Sequence, residues 1–580
     1  MLLNSSKTLL SAENLALEDL HPILQKIYAA RHIFSVEELN YDIKYLLHFK
    51  NLKDIQKATD LLVDALICQK HILVVGDFDT DGATSTALAV QVLKTFGARH
   101  VNYIVPNRFK YGYGLTPEIV VLAEKQDLII TVDNGISSNL GVKAAQEKGI
   151  KVLVTDHHIP PTILPSADAI VNPQQESDAF ESKNLAGVGV IFYVMLALRE
   201  RLKQMHWFKN QQIPYPKMDA WLDLVALGTI ADMVPLDKNN RILVYHGLKK
   251  LQANKVRTGI RALASIANCS LEECTASDLS FKIAPRLNSA GRLKDMSIGI
   301  ECLLTDDLQK ALSLAQQLDE LNKTRRSIEN KMRIEAFHIL EKMDVSSKKT
   351  SICLFHPSWH QGITGLVAGR IKEKFKIPSI VFAPTNQPGE LKGSARSIPG
   401  IHIRDILSTI ASQYPEVLTR FGGHAAAAGL SLKLDQYEQF EHIFEKSVET
   451  AMTSMSSQSL VQLDGELTAQ ELNVQFAILL RDAGPWGQAF PEPVFNGCFQ
   501  LLNQRIVGHS HLQLTLKLEN SDKIFKGILF YADLNQWPNA LIRTVQVHYR
   551  LAIDTWEGRK NIQLQIQKLL PQNHESVEHS

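Results

Sequence analysis

Cysteine is scarce in this chain, and so are aromatics, charge of one sign and long apolar runs. Its 580 residues include six cysteines, at positions 68, 269, 274, 302, 353 and 498. Only Cys269 and Cys274 are close, and they lack the second pair a structural zinc site needs. All six are expected to be reduced thiols, as in a cytosolic protein. Lys plus Arg (62) nearly cancels Asp plus Glu (61), leaving a net charge of +1. That balance gives no global electrostatic argument for nucleic acid, so a polyanion site must come from locally clustered basic residues. The longest apolar stretch, residues 187–198, is shorter than the ~20 residues of a bilayer span. The first residues lack the apolar segment of a signal peptide. No membrane role is expected, and the reading is of a cytoplasmic protein.

The length exceeds what one core can serve, and three or four domains are expected. Residues 1–65 read as helical, without evident chemistry. In residues 66–304, apolar runs at 71–75, 101–105, 128–132, 152–155 and 169–171 alternate with helical stretches such as 84–96 and 140–147. This alternation predicts an α/β domain with a doubly wound parallel sheet, and residues 186–300 read as mostly helical. Thr305 reads as the N-cap of a helix free of Pro and Gly, with Asp306 and Asp307 in its first turn. Segment 305–345 is then a connecting helix on the order of 55–60 Å long. A second α/β domain is expected over 346–452, opening on a strand at 351–355. Beyond the polar stretch 453–459, residues 460–570 show alternating runs at 512–518, 545–553 and 562–566. They predict a small β-barrel, for which the oligonucleotide-binding (OB) fold is a candidate. Residues 571–580 form a tail.

Four acidic and histidine clusters stand out: Asp77-Phe78-Asp79-Thr80-Asp81-Gly82, Asp133-Asn134-Gly135, Asp156-His157-His158, and Asp232 within 227–235. The first three follow directly on apolar runs, and side chains at successive strand ends converge on one crevice in an open α/β sheet. Hard carboxylate oxygens with one or two imidazoles suit Mn²⁺ or Mg²⁺ rather than structural zinc. The i, i+2, i+4 spacing of Asp77, Asp79 and Asp81 points all three to one side of an extended segment. Gly82 would permit a turn into a helix beginning near Ala83. Taken singly, each cluster has a plainer reading: an acidic turn or an N-cap at Asp81, a turn at Asp133, a surface pair at His157 and His158, a cap or ion pair at Asp232. An EF-hand is excluded by the missing later ligands. Taken together, the carboxylates would repel and their pKa values would rise unless a cation compensated them. The set predicts a two-metal phosphoryl hydrolase.

Arg108, Arg286 and Arg292 lie in loop-like motifs with Asn107 and Asn288, and Ser394 and Arg396 in a glycine-bounded loop, 393–400. An arginine fork matches phosphate, and glycine lets backbone N–H groups approach. A single arginine is more often a surface ion pair. Tyr113 is the favoured base-stacking platform among Tyr111, Tyr113, Trp359 and Trp486. His360 and His424 are weaker candidates.

On these clusters, together with motifs at 105–109, 112–117, 284–293, 359–362, 393–400, 421–424 and 484–493, the sequence resembles the DHH phosphoesterase superfamily. Within it, the resemblance is to the bacterial single-strand-specific 5′→3′ exodeoxyribonucleases, over residues 40–570. The resemblance implies that Asp79 and Asp133 hold one metal and that Asp81, Asp133, His157 and Asp232 hold the other. Asp133 would bridge, and Asp77 would be an additional ligand. His158 would face the scissile phosphate, with Asp156 orienting the neighbouring histidines. The implied reaction is two-metal hydrolysis of single-stranded DNA from its 5′ end to 5′-mononucleotides, in recombination and repair, with two Mn²⁺ or Mg²⁺ ions. Asn107, Arg108, Tyr113, Arg286, Asn288, Arg292, Ser394, Arg396 and His424 would grip the strand and its 5′ end. Single-stranded-DNA-binding protein and a RecQ-type helicase are the implied partners.

Two alternatives remain in view. Other DHH enzymes (nano-RNases, cyclic-dinucleotide phosphodiesterases, manganese pyrophosphatases) are typically shorter and lack the connector and barrel. A non-catalytic single-stranded-DNA-binding scaffold, like the inactive relative in the eukaryotic replicative helicase, has lost ligands that this sequence retains. If the barrel extends the strand's track, deleting 461–580 should weaken binding of long strands more than cleavage of a short oligonucleotide.

Overall fold

The computed structural model describes residues 17–107, 110–123, 125–343, 349–418, 420–453, 463–508, 511–519, 521–534, 536–556 and 559–572. Strands β1 (Ile72–Val75), β2 (Val101–Ile104), β3 (Leu128–Val132), β4 (Lys151–Thr155) and β5 (Ala169–Val171) form one sheet in the order β2-β1-β3-β4-β5. Every pairing in it is parallel. β1 and β3 are buried along their whole length, as strands covered on both faces must be, and this is why they read as unbroken apolar runs. Winding reverses between β1 and β3: β2 lies outside β1, while β4 and β5 lie outside β3. The carboxyl ends of β1 and β3 therefore flank a topological switch point, where open α/β sheets bind their ligands. Asp77–Gly82 leave β1 there, and Asp133 follows β3 directly.

The apolar stretch 187–198 belongs to the buried helix Gly187–Gln204, which packs with helices Thr80–Thr95 and Leu222–Asp232. Among the described residues, no helix is long and apolar enough to cross a membrane. The connecting helix runs Leu308–Lys342, 35 residues, or about 52 Å. Its N-cap is Asp307 rather than Thr305: the Asp307 carboxylate accepts N–H groups from Gln309 (2.8 Å) and Lys310 (3.2 Å). The Thr305 hydroxyl instead accepts the Asp307 N–H (3.2 Å). A carboxylate two residues nearer the first apolar contacts is the stronger acceptor and matches the helix dipole. The first half of this helix buries Ala311, Ala315 and Leu318 in the catalytic lobe, and the second half buries Met332, Ala336 and Leu340 in the next.

The second sheet, in the order β6-β7-β8-β10-β9, comprises β6 (Ile352–Phe355), β7 (Ser379–Pro384), β8 (Glu390–Arg396), β9 (Arg420–Gly423) and β10 (Ala427–Lys433). Only β6 and β7 are parallel; the other pairings are antiparallel. Ser394 and Arg396, expected in a loop, lie on β8, which is paired on both sides. Small residues suit a central strand when neighbouring side chains fill the space above them, as Phe382 and Leu430 do at Gly393.

The C-terminal strands β11 (Phe495–Val507), β12 (His511–Leu518), β13 (Ile524–Leu529), β14 (Thr544–Trp556) and β15 (Arg559–Gln572) close a barrel in the order β11-β12-β13-β15-β14. The barrel does not stand apart from the catalytic lobe. Phe476, Leu480, Phe490, Phe495 and Phe499 share one continuous core with Leu24, Tyr28 and Leu236. The N-terminal segment fastens them: the Tyr28 hydroxyl donates to Ala483 O (2.8 Å) and Arg31 pairs with Asp464 (2.7 Å) in a buried contact.

Candidate active site

The acidic triplet after β1 is not extended. Asp79 is the N-cap of helix Thr80–Thr95 and accepts the Gly82 N–H (3.0 Å), so Asp77 lies before the cap and Asp81 in the first turn. The i, i+2, i+4 spacing is compatible with either arrangement, and the capping bond decides for the helix. Gly82 is needed for close approach rather than for a turn: a Cβ there would lie 2.6 Å from Asp77 O. The Asp81 carboxylate accepts the Gly187 N–H (2.6 Å) and the Val188 N–H (3.0 Å), two orphan donors at the start of helix Gly187–Gln204. Asp133 adopts φ 62°, a conformation that costs energy for a non-glycine residue and recurs at functional sites. Beside it, Asn134 Nδ2 donates to Val75 O (3.0 Å) and Val132 O (2.9 Å), tying β1 to β3 across the switch point.

The structure brings the predicted ligands together in two sets. Ligand atoms of Asp77, Asp79 and Asp133 lie within 4.8 Å of one another, as do those of Asp81, His157 and Asp232. His157 Nε2 is 3.1 Å from Asp133 Oδ1 and 3.5 Å from Asp232 Oδ2, so Asp133 stands between the sets. Burial, followed by repulsion from Asp79, pushes the Asp81 carboxyl up to about 7. Burial and the surrounding carboxylates hold Asp133 and Asp232 well above the ordinary range. Burial and the neighbouring His158 bring His157 down to about 3, keeping its ring neutral. Asp133 Oδ1 and His157 Nε2 are buried and without hydrogen-bond partners among the described residues. Buried acceptors that face each other with no donor between them, amid carboxylates, fit hard divalent cations.

Asp156 orients the next residues. Its Oδ1 accepts the N–H groups of His157 (2.7 Å) and His158 (3.1 Å) and lies 2.7 Å from His158 Nδ1, while Oδ2 accepts the Ile136 N–H (2.9 Å). Burial works to raise Asp156, but His158, His157 and the Ile136 N–H together outweigh it and hold the carboxyl at about 2. Burial opposes the charge on His158, yet Asp156 draws that ring up to about 9. His424 of the second lobe stacks on His158 with ring centroids 5.3 Å apart. The Tyr113 hydroxyl lies 3.3 Å from the His158 ring nitrogens and donates to Asp133 O (3.2 Å). Its ring stands edge-on to Phe78 and His158, forming a wall of the site while remaining 47% exposed.

The remaining predicted residues divide. Arg286, Asn288 and Arg292, read as loop residues, lie on helix Ala284–Leu293, for which Pro285 supplies a favourable start. Asn288 Oδ1 accepts the Thr80 N–H (2.8 Å) and hydroxyl (2.9 Å), bracing the acidic turn. Arg286 pairs with Asp319 on the connecting helix (2.8 Å) and donates to Lys282 O, away from the ligand cluster. Arg292 donates to Gly362 O (3.4 Å) across the two lobes, and Asn107 to Lys294 O (3.3 Å). Arg108 lies outside the described residues. Ser394 Oγ is 2.9 Å from Thr364 Oγ1, at the start of helix Thr364–Phe375. Arg396 reaches the same turn, where a Cβ on Gly365 would lie 2.8 Å from its Nη2.

Sequence reasoning passed over Asn172 and Gln174, whose amides donate to His158 O (2.8 Å) and His157 O (2.5 Å). Their signal was position: they follow β5 as the other motifs follow their strands. Cys269, Cys274 and Asp278 also approach within 4.8 Å. Asp278 is engaged there by the Thr275 N–H (2.9 Å), the Thr275 hydroxyl (2.7 Å) and Lys282 (2.7 Å).

A doubly wound sheet with carboxylates and histidines at its switch point, linked to a second α/β lobe, defines the DHH phosphoesterases. Residues 71–229 match the DHH family N-terminal domain and 348–450 the DHHA1 domain, and 463–568 match the RecJ OB domain. The chain is 46% identical to the single-stranded-DNA-specific exonuclease RecJ of Dickeya dadantii, over 97% of this chain and 98% of that one. It is 47% identical to that of Escherichia coli, over 95% and 96%. A crystal structure of Thermus thermophilus RecJ with Mn²⁺ superposes with a TM-score of 0.78 at 30% identity, covering 96% of this chain and 77% of that one. The same protein with Mg²⁺ gives 0.73 at 29% identity, covering 96% and 76%. The chain belongs to the RecJ family.

Proposed function

We propose that this protein is a metal-dependent exonuclease that hydrolyses single-stranded DNA from the 5′ end to 5′-mononucleotides. The observation that carries the reading is the pair of ligand sets meeting at Asp133 on the switch point. Asp77, Asp79 and Asp133 would hold one ion, and Asp81, Asp133, His157 and Asp232 the other, Mn²⁺ or Mg²⁺ in each case. When bound, such ions supply Lewis-acid charge on the phosphoryl group and an activated water. The protein's part is positioning. Neutral His157 offers a lone pair, the 187–188 amides hold Asp81, and Asp156 fixes the His158 ring. His158 presents an N–H toward the cleft between the lobes, where it serves the phosphoryl oxygens or the leaving group. Ser394, Thr364 and Arg396, gathered at a helix start, suit a terminal phosphate. Arg292, Asn107, Tyr113 and His424 line the approach, and Asn288 acts through the acidic turn.

The family resemblance supports 5′→3′ polarity, a cytoplasmic role in recombination and repair, and single-stranded-DNA-binding protein and a RecQ-type helicase as partners. The test is an oligonucleotide labelled at its 3′ end, incubated with and without Mn²⁺ beside duplex and RNA controls. Stepwise shortening from the 5′ end, only with metal and only on the single strand, is the expected result. Cleavage of dinucleotides alone, or binding without turnover, would overturn the reading.

A further inference from the structure

Residues 484–491 carry a motif that the chemistry above leaves unused, and they pack against the loop that follows Asp232. Helix Leu222–Asp232 ends on the carboxylate residue itself, and Met233 turns the chain with φ 60°. From there to Asp237, which caps the next helix through the Asn240 N–H (3.0 Å), the backbone is gripped at three points. Asn240 Nδ2 donates to Pro235 O (2.9 Å), and Arg241 Nη1 donates to Leu236 O (3.0 Å). The third grip comes from the segment leading into the barrel: the Leu236 N–H donates to Gln488 O (2.8 Å).

Gln488 lies in a tight turn closed by two bonds, Gly487 N–H to Phe490 O (2.9 Å) and Phe490 N–H to Gly487 O (3.2 Å). Phe490 stacks on Trp486 with centroids 5.1 Å apart. The Arg241 guanidinium sits 4.5 Å from the Phe490 ring centre, so one arginine binds both turn and loop. Gly487 has little room for a side chain: a Cβ would lie 2.7 Å from Leu236 Cδ1 and 3.1 Å from its Cγ.

We propose that the Gly487–Phe490 turn is a positioning element for Asp232, so that the segment leading into the barrel sets the geometry of one metal position. The inference rests on the reading of Asp232 as a ligand. A residue that ends its helix is held on one side only by the loop beyond it, and here that loop is fixed by Gln488 and Arg241. Ligation tolerates errors of only ~0.2 Å in distance, and groups that orient ligands are worth roughly 10–100-fold in metal affinity.

The experiment measures Mn²⁺ binding to the chelator-stripped full-length chain by electron paramagnetic resonance of the free ion, beside the Mn²⁺ dependence of single-strand hydrolysis. Gly487→Val should weaken one of two ions by ~10–100-fold, with turnover recovering at high Mn²⁺. Adding Leu236→Ala, which removes the atoms the new side chain meets, should restore the affinity. Should Gly487→Val fail to fold by circular dichroism, Gly487→Ala, which presses on the same Leu236 methyl, takes its place. Wild-type Mn²⁺ binding in the folded Gly487 variant would overturn the inference. So would equal weakening of both ions that Leu236→Ala does not relieve, since that marks a general loss of fold. Asp232→Asn separates the two levels: if it binds both ions normally, the ligand reading fails rather than the positioning.

Discussion

The first sheet is parallel throughout and delivers its chemistry from strand ends, whereas the second is parallel only between β6 and β7 and displays Lys392, Ser394 and Arg396 along one face of a central strand. Parallel strands send every carboxyl end to the same edge, so loops that are far apart in sequence pool their carboxylates. The result is a compact negative cluster that cations must neutralise. On β8 the same-face residues stand about 6.8 Å apart and form a row of donors and positive charge, suited to phosphates rather than to metal. On the proposed function, the first lobe would carry the ions and the reaction, and the second would add phosphate contacts beside the first-lobe residues that line the approach.

The largest test of this division is Asp133→Ala, which removes the carboxylate between the two ligand sets. Turnover should fall by ~10³-fold or more, as expected when several kcal/mol of charge stabilisation are lost. The melting temperature in chelator should hold or rise, because a repelled buried carboxylate is gone. Near-normal turnover in purified protein would break the comparison. Next, Asp156→Asn should cost ~10–100-fold in kcat. With Asp156 no longer drawing the His158 ring up to about 9, the alkaline limb of the pH–rate profile should move to lower pH. In the second lobe, Arg396→Gln should raise KM for a 5′-phosphorylated strand by ~10-fold, the scale of one charge-assisted hydrogen bond, with kcat little changed. A fall confined to kcat would move Arg396 to the reacting group.

The smallest effect concerns the metal-free chain. Asp81 sits at about 7 in the folded protein against an ordinary 3.8. Its protonated form therefore favours folding, and that contribution is lost as pH rises through 7. His158, raised from 6.5 to about 9, loses its contribution over that higher window. The stripped protein should therefore melt a few degrees lower at pH 9 than at pH 6.5, and saturating Mn²⁺ should flatten the difference. A stripped protein that gains stability across this window would break the electrostatic account of the first lobe.

Strands of the first sheet were legible to within a residue, because short β-branched and aliphatic runs alternate with helical stretches, and three of them end on an acidic turn. Asp77, Asp79, Asp81, Asp133, His157 and Asp232 were likewise legible as a set. Local geometry was not. Two-residue spacing fits a strand or a capped helix, and only the Asp79–Gly82 bond separates them. Arg286 and Ser394 looked alike as polar residues among small ones, yet tertiary packing makes one an ion-pair partner of the connector and the other a neighbour of Thr364. The union of barrel and catalytic lobe left no trace in composition, since its apolar residues resemble those of any small barrel. That union alters the expected outcome of deleting 461–580. Removal would expose the shared core around Phe490 and release the Asp232 loop, so short and long substrates should suffer together.

The connecting helix has a further consequence. Its two ends are anchored in different cores, and an α-helix neither stretches nor rotates freely between such anchors. One residue inserted near its middle would advance the second lobe by about 1.5 Å and turn it by about 100°, carrying His424 and Ser394 around the axis and away from His158. Helix length thus sets both phase and spacing between the lobes: an insertion of whole turns would restore the angle yet still shift the second lobe by about 5.4 Å per turn, so function should not return.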